Sequence, residues 1–292
     1  MTDYCIASPH KNELWYDYRL YDNLKSELKL LGFNYRAGAK NRIYLLGGRV
    51  LHFYPEVGPF DEAANNIALS YCHFDQVKDY GIFNHVFFCS QRVQSKIYVD
   101  KRCRLPAANI GIIRPFSSLT PSTTIDTKYS CDIAFIGTPR IRPIVEAILP
   151  IVEKHKLDFK LFGPNWDKYS GNNNAVKYWS GTSIPYKDIS VLAHNAKLCL
   201  IDHHESMNQD GAVSHKYVDF LSAGSLVISD NNKNAKGFYK GLCFTSPDDL
   251  EPLVLKYLAS KQLRTEQIAL QLELLSKQTT ALAARTLSEQ FI

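Results

Sequence analysis

Residues 131–230 alternate short apolar runs with helical patterns, and glycine or proline breaks each run before the next helix begins. Strand, turn and helix repeated in this way build a parallel sheet covered by helices, and few other architectures accommodate the pattern. The stretch opens CDIAFIGTPRIRPIVEAILPIVEKH. Residues 133–136 read as a buried strand, Gly137-Thr138-Pro139 breaks it, and Ile144, Ala147, Ile148 and Ile151 share one face of a helix. Arg140 and Arg142 stand at the turn, where a helix N-terminus offers N–H groups to an anion.

The same stretch closes on SHKYVDFLSAGSLVISDN. A helix carrying Lys216 and Asp219 stops at Ser222-Ala223-Gly224, and an apolar strand over 226–228 runs out at Asp230. Between these ends, strands are predicted over 159–162, 176–179 and 197–201, and a helix over 186–196. A sixth strand is predicted at 243–245. Ser246-Pro247-Asp248-Asp249 then starts a helix, with a capping serine, a first-turn proline and acids at the positive end of the dipole. Ligands of such sheets bind beyond the carboxyl ends of the strands, so a nucleotide diphosphate is expected between the two ends of this stretch.

The first part of the chain repeats the pattern. Residues 4–7 read as a strand that ends at Ser8-Pro9-His10, and Leu20, Leu24, Leu28 and Leu31 share a face of a helix closed by Gly32. His10 therefore lies in a loop where α/β sheets hold ligands, and both a catalytic and a structural role are open to it. Residues 42–53 carry two apolar runs around Gly47-Gly48 and read as a hairpin. Residues 61–69 and 76–80 look helical or loop-like, 85–90 a strand followed by a helix through Ile97, and 110–113 another strand. Residues 116–130, rich in Ser, Thr and Pro, read as a linker.

A chain of 292 residues has room for one large domain or two of roughly 100–200 residues each. No apolar run approaches the roughly 20 residues needed to cross a bilayer, and the start of the chain lacks the pattern of a secretory signal. Seven scattered cysteines without a CxxC pair predict reduced core thiols and no zinc site. The formal charge of +5 comes without a run of five basic residues, which argues against a nucleic-acid arm. G-x-G-x-x-G is absent after the first strand and after Ile136, which counts against a dinucleotide oxidoreductase.

A departing nucleoside diphosphate gains negative charge that the protein must stabilise, and Arg140, Lys216 and Arg142 are the cations placed to do so. A carboxylate such as Asp219 can accept both ribose hydroxyls. DHHES, residues 202–206, brings two histidines and two acids together. Adjacent side chains of an extended segment point opposite ways and the spacing fits no common zinc pattern, so it reads as a polar loop. QDGAVS, residues 209–214, offers Gly211 and Ser214 where backbone N–H groups meet a phosphate or a sugar.

In that order DIAFIGTPRIRPIVEAIL, LFGPNW, YWSGTSIPYKDISVLAHNAKLCLI, SHKYVDFLSAGSLVISD and FTSPDDLEPLVLKYL resemble the C-terminal domain of group 1 glycosyltransferases, nearest to the CgeB-like branch. The resemblance covers about half of the chain and implies the GT-B architecture, with sugar transfer from a nucleotide donor, retention and no metal. Carried over by position, it makes Lys216 the basic residue facing the diphosphate and Asp219 the second acid of a paired-glutamate motif, on the donor ribose. It places Arg140 in the first phosphate-side loop and residues 182–186 in the loop that flanks the base; Gly137, Thr138, Arg142, Ser183 and Tyr186 are the further residues expected to bind the donor. The second acid is Asp here rather than Glu, and the first acid's place is held by Gly211 with Asp210 beside it.

The expectation is thus an α/β protein of two Rossmann-like domains facing a cleft, GT-B type. Residues 1–118 form an acceptor domain, 119–130 a linker, 131–275 a nucleotide-sugar domain, and 276–292 a helix that returns to the first domain. His10, Lys216 and Asp210 are the expected catalytic residues, with no metal ligands and no cofactor beyond the nucleotide-sugar co-substrate. The acceptor is a glycan, lipid-linked or other sugar; no nucleic acid is expected. The location is cytoplasmic, with contact to the inner face of a membrane left open. A scaffold of the same fold without catalysis is the alternative.

Overall fold

The computed structural model describes residues 2–12, 15–48, 53 and 60–292. Along the chain run β1 (Asp3–Ala7), α1 (Tyr16–Leu30), β2 (Asn34–Tyr35), β3 (Asn41–Leu46), β4 (Asn65–Ser70), β5 (His85–Phe88), α2 (Gln91–Val99) and β6 (Ile110–Ile112). There follow β7 (Cys131–Ile136), α3 (Pro143–His155), β8 (Phe159–Phe162), β9 (Trp179–Gly181), α4 (Ile189–Asn195), β10 (Ala196–Ile201), α5 (Glu205–Asp210) and α6 (His215–Ser222). The chain continues through β11 (Val227–Ser229), α7 (Lys233–Gly237), β12 (Leu242–Cys243), α8 (Pro247–Ala259), α9 (Lys261–Leu275) and α10 (Thr280–Ser288).

These elements form two compact units. The first comprises Met1–Ser118, Glu205–His215 and Lys277–Ile292, the second Leu119–His204 and Lys216–Ser276. Two stretches fall differently from the sequence-based division. Residues 119–130 pack as part of the second unit, where the Asp126 N–H donates to Asn195 Oδ1 at 3.0 Å and Lys160 Nζ donates to Lys128 O at 2.7 Å. Glu205–His215 packs with the first unit, where Lys96 on α2 forms an ion pair with Asp210 at the end of α5.

The first unit holds a six-stranded parallel sheet in the order β2-β1-β3-β4-β5-β6. Its central strands are buried on both faces, as a parallel sheet under helices requires, so they read as continuous apolar runs. β3 is wholly buried and pairs in parallel with β1 and with β4. Both of its edges are therefore taken, and it cannot be the first arm of the expected hairpin; residues 49–52, the start of the second run, lie outside the described residues. β4 corrects the reading of 61–69 as helix or loop. Its sequence NNIALS has only three apolar residues in a row, because Asn65, Asn66 and Ser70 are buried with polar partners instead. Asn66 Nδ2 donates to Asp61 O at 2.9 Å, and Ser70 Oγ lies 3.0 Å from the Tyr80 hydroxyl.

The chain's last residues close the bottom of this sheet. Asn41 Nδ2 donates to Asp3 O at 3.0 Å and to Ile292 O at 3.1 Å, while Asn41 Oδ1 accepts from the Ile292 N–H at 2.9 Å. Asn65 Nδ2 donates to Asn41 Oδ1 at 3.0 Å and to Gln290 O at 2.6 Å. α10 packs on α1, and Phe291 stacks on Tyr4. Asn41→Ala strands several buried polar groups at once. It should cost about 1–3 kcal/mol, measured as a lowered urea midpoint with an unchanged slope.

The second unit holds a six-stranded parallel sheet in the order β12-β11-β10-β7-β8-β9. In sequence terms the strand order reverses between β7 and β10, the switch point at which open α/β sheets bind ligands. The third strand comes later than predicted. Residues 173–178 form a 3-10 turn, and β9 begins at Trp179, whose indole N–H donates to Gly163 O at 2.9 Å. Gly163 has φ +140°, and a side chain there would collide with the carbonyl of Gly137. This close approach seals the loop after β7 against the loop after β8.

The cysteines are free, and Cys5, Cys89, Cys103, Cys131 and Cys199 are buried. Burial pushes these thiols up, so they pack as small apolar groups.

Candidate functional site

In the second unit the loops after β7, β10 and β11 meet at the switch point. Arg142, the residue before α3, turns its guanidinium inward. Nη1 donates to both oxygens of Asp202 at 2.6 and 2.7 Å, Nε to Thr138 O at 2.7 Å, and Nη2 to Thr138 Oγ1 at 3.1 Å. The side chains of Arg142 and Asp202 are 6% and 4% exposed, so this is a buried ion pair. Burial works against the Asp202 carboxylate, but Arg142, Lys216 and Arg140 outweigh it and hold the carboxyl below its ordinary value.

Arg140 stays exposed and reaches Asp202 Oδ2 at 3.3 Å and His203 O at 3.4 Å. Lys216, in the first turn of α6, donates from Nζ to Ile136 O at 2.7 Å, at the carboxyl end of β7. Three cations therefore converge on one acid at the end of the central strand. Gly137 fits closely here: a side chain would press on Phe135 and on the guanidinium of Arg142 and make them shift.

His203 is clamped by Asp230, whose Oδ2 accepts from the His203 N–H at 3.0 Å and whose Oδ1 lies 2.5 Å from Nδ1. His203 is buried and the adjacent His204 exposed, so the two rings part as an extended chain demands. Among the described residues no three His, Cys, Asp or Glu are grouped to hold a metal ion. Tyr186 donates its hydroxyl to Asp219 Oδ1 at 2.9 Å, which joins the loop over 182–186 to α6; Asp219 is 2% exposed.

In the first unit the strand order reverses between β1 and β3, and the residues that follow β1, β3 and β4 form a second cluster. Nδ1 of His10 lies 2.5 Å from Oδ2 of Asp17, and the hydroxyl of Tyr71 donates to Oδ1 of the same carboxylate. A carboxylate only accepts, so Nδ1 carries the hydrogen, which leaves Nε2 as the acceptor nitrogen of the neutral ring. Gly47 leaves room for this network, since a side chain there would collide with Tyr71 and Asp17. His215 stacks on Tyr16 with ring centroids 4.1 Å apart and meets Tyr71 edge-on at 4.9 Å. Burial pushes His215 down to about 3, so it is a neutral packing ring at physiological pH.

A model of the family described as glycosyl transferase-like matches residues 140–288, just over half of the chain. The chain belongs to this family. The match takes in Arg140, Arg142, Asp202, Lys216, Asp219 and Asp230. A search of curated proteins by sequence found no match.

Solved structures share the fold of this glycosyl transferase-like chain. The T4 phage β-glucosyltransferase superposes with a TM-score of 0.61 at 12% identity, over 100% of this chain and 99% of that one. TarM, from S. aureus, gives a TM-score of 0.59 at 13% identity over 93% of this chain and 58% of TarM. The pneumococcal O-GlcNAc transferase GtfA, solved with UDP and GlcNAc, gives 0.51 at 14% identity over 91% of this chain and 59% of GtfA. Two parallel sheets flanked by helices are the GT-B glycosyltransferase fold, which the chain adopts.

The structure gathers Gly137, Thr138, Arg140, Arg142 and Lys216 at one switch point, and Tyr186 with Asp219 beside α6. Ser183 is exposed in the loop before Tyr186, and Ser214 is half-buried just before α6. His10 belongs to the first unit, and so do Asp210 and Gly211. Asp210 is held by Lys96, and Gly211, at φ +70°, lies against Arg92.

Sequence reasoning missed Asp202, dismissed as part of a polar loop, together with Asp230 and the Asp17–Tyr71 support of His10. Asp17 follows His10 by seven residues, in the first turn of α1, and carried only a weak signal; Tyr71 lies 54 residues beyond Asp17 and carried none. No helix among the described residues is long and apolar enough to cross a membrane.

Proposed function

We propose that this chain transfers a sugar from a nucleoside-diphosphate sugar, bound at the β7–β10 switch point, to an acceptor hydroxyl. The observation that carries the reading is the charge balance at that point. Arg142 takes up the charge of Asp202, and Arg140 and Lys216 add two positive charges where a diphosphate would bring two negative ones. Two cations can stabilise the departing diphosphate without a metal ion. Tyr186 and Asp219 then take the base and the ribose, as the resemblance implied. The order of the motifs supports placement in the CgeB-like branch, and the unpaired thiols and nucleotide donor suit a cytoplasmic location.

His10 is the proposed base for the acceptor hydroxyl, with Asp17 and Tyr71 positioning it. A base on the acceptor suits direct displacement with inversion. The retention implied by the resemblance needs an acid facing the donor sugar, and Asp210 is engaged by Lys96 instead. That engagement also favours the second reading, a nucleotide-binding protein without turnover.

A thermal-shift panel of UDP, GDP, ADP, CMP and their sugars, with and without Mn2+, tests the donor site; one T4 structure of this fold holds UDP with Mn2+. A nucleotide at 100 times its Kd should stabilise the protein by about 2.7 kcal/mol. Arg140→Ala removes an exposed side chain and should weaken that nucleotide about tenfold or more while the protein stays folded. Silence across the panel would refute the reading. Binding without turnover on any acceptor would select the second one.

A further inference from the structure

Trp15 stands at the head of α1, and its indole is stacked on the His10 imidazole with centroids 4.4 Å apart and planes 11° from parallel. It is 48% exposed, whereas Trp166 is 1% exposed. An exposed indole offers a ligand a broad, rigid apolar face with a polar edge. One face is covered by His10, so the exposure belongs to the other face and the ring edges. The polarised C–H groups of a pyranose ring fit such a face, because the π cloud carries negative charge.

We infer that Trp15 is the acceptor subsite and that the acceptor is an oligosaccharide, with one sugar ring on Trp15 and the accepting hydroxyl on a neighbouring ring at His10. This rests on the reading of His10 as the base. Distance sets the length of the acceptor. A ring stacked on the outer face of Trp15 sits roughly 8 Å from the imidazole, about twice an aromatic stacking distance, whereas a hydrogen bond to Nε2 spans about 3 Å. One sugar cannot satisfy both, and two linked sugars can. The local charge favours a sugar over a nucleic acid. Among the described residues from Lys11 to Asp22, Lys11 and Arg19 are matched by Asp17 and Asp22, which leaves no basic stripe there for a phosphate backbone.

The test uses the full chain with glucose, N-acetylglucosamine, cellotriose, maltotriose, chitotriose and a single-stranded DNA oligonucleotide. Tryptophan fluorescence is read without donor, and transfer is read with the donor found in the nucleotide panel. At least one trisaccharide should perturb the fluorescence and serve as acceptor far better than either monosaccharide. Trp15→Ala should raise its KM about tenfold at nearly constant kcat, and Trp15→Phe should restore most of that loss. The fluorescence change should vanish in Trp15→Phe, which keeps Trp166 and Trp179. Equal use of monosaccharides, a response to DNA alone, an unaltered KM in Trp15→Ala, or silence to every saccharide would each overturn the inference. A nucleotide shift retained in the same samples would leave the donor reading standing, and its loss would remove both.

Discussion

Lys216→Ala should lower the rate of sugar transfer by about 100- to 1,000-fold, the loss expected when one preorganised donor to a developing anion is removed. Lys216 Nζ is anchored on the carbonyl of Ile136 and lies 5.8 Å from the centre of the Phe135 ring, so its charge is held at the carboxyl end of β7. A charge fixed there needs little rearrangement when the glycosidic bond breaks. The effect should fall mainly on kcat, because negative charge on the diphosphate grows in the transition state and the lysine is worth most at that moment. Steady-state kinetics with the donor found by the nucleotide panel decide the matter. A variant with full kcat would remove Lys216 from the leaving-group site and shift that role to Arg140. The second unit should stay folded, since the lysine is only half-buried.

Arg142→Ala is the opposite kind of change and should damage stability first. It leaves the Asp202 carboxylate buried without the guanidinium that donates to both its oxygens, and breaking a buried pair from one side costs about 3–5 kcal/mol. The melting temperature should fall by on the order of 10 °C. The pH dependence identifies the cause. In the wild type Asp202 is held below its ordinary value, so it contributes stability above the carboxylate range and loses it as pH falls through the folded value. In the variant, burial acts on that carboxyl with less opposition and moves it upward, so the ionised form becomes a burden at neutral pH. The gap in melting temperature between wild type and Arg142→Ala should therefore be widest near pH 7 and narrow below roughly pH 4. A gap that does not change with pH would trace the loss to packing alone. Asp202→Asn combined with Arg142→Met, which removes both charges at similar volume, should recover much of the lost stability.

The two variants separate roles that looked alike in the sequence. Arg140 and Arg142 are two residues apart, both at the start of a helix, and nothing local distinguishes a ligand cation from a structural one. Burial does: both reach Asp202, but Arg142 is enclosed there and Arg140 stays exposed. Asp202 itself was legible only as one acid in DHHES, because its partner lies 60 residues earlier in the chain. Asp210 was the nearest acid to the place left by the paired-glutamate motif, and spacing alone suggested a role at the donor sugar. The fold assigns it to Lys96 instead, since α5 packs on α2. β4 was hidden for a related reason. Burying asparagines that bond to one another and to backbone carbonyls erases the apolar run by which a central parallel strand is ordinarily read.

What the sequence by itself determined was the alternation of strand and helix, the parallel sheets that follow from it, and the loop after β7 with its glycine and its cations. These are local properties: the side-chain period and the turn residues act over a few positions, so they can be read without knowing what lies nearby in space. What only the tertiary structure decided was pairing. Strand order, and with it the two switch points, depends on which strands share edges. The partners of Arg142, His10, His203 and Asp210 come from segments 7 to 114 residues away, brought together by the sheet and not by any local preference.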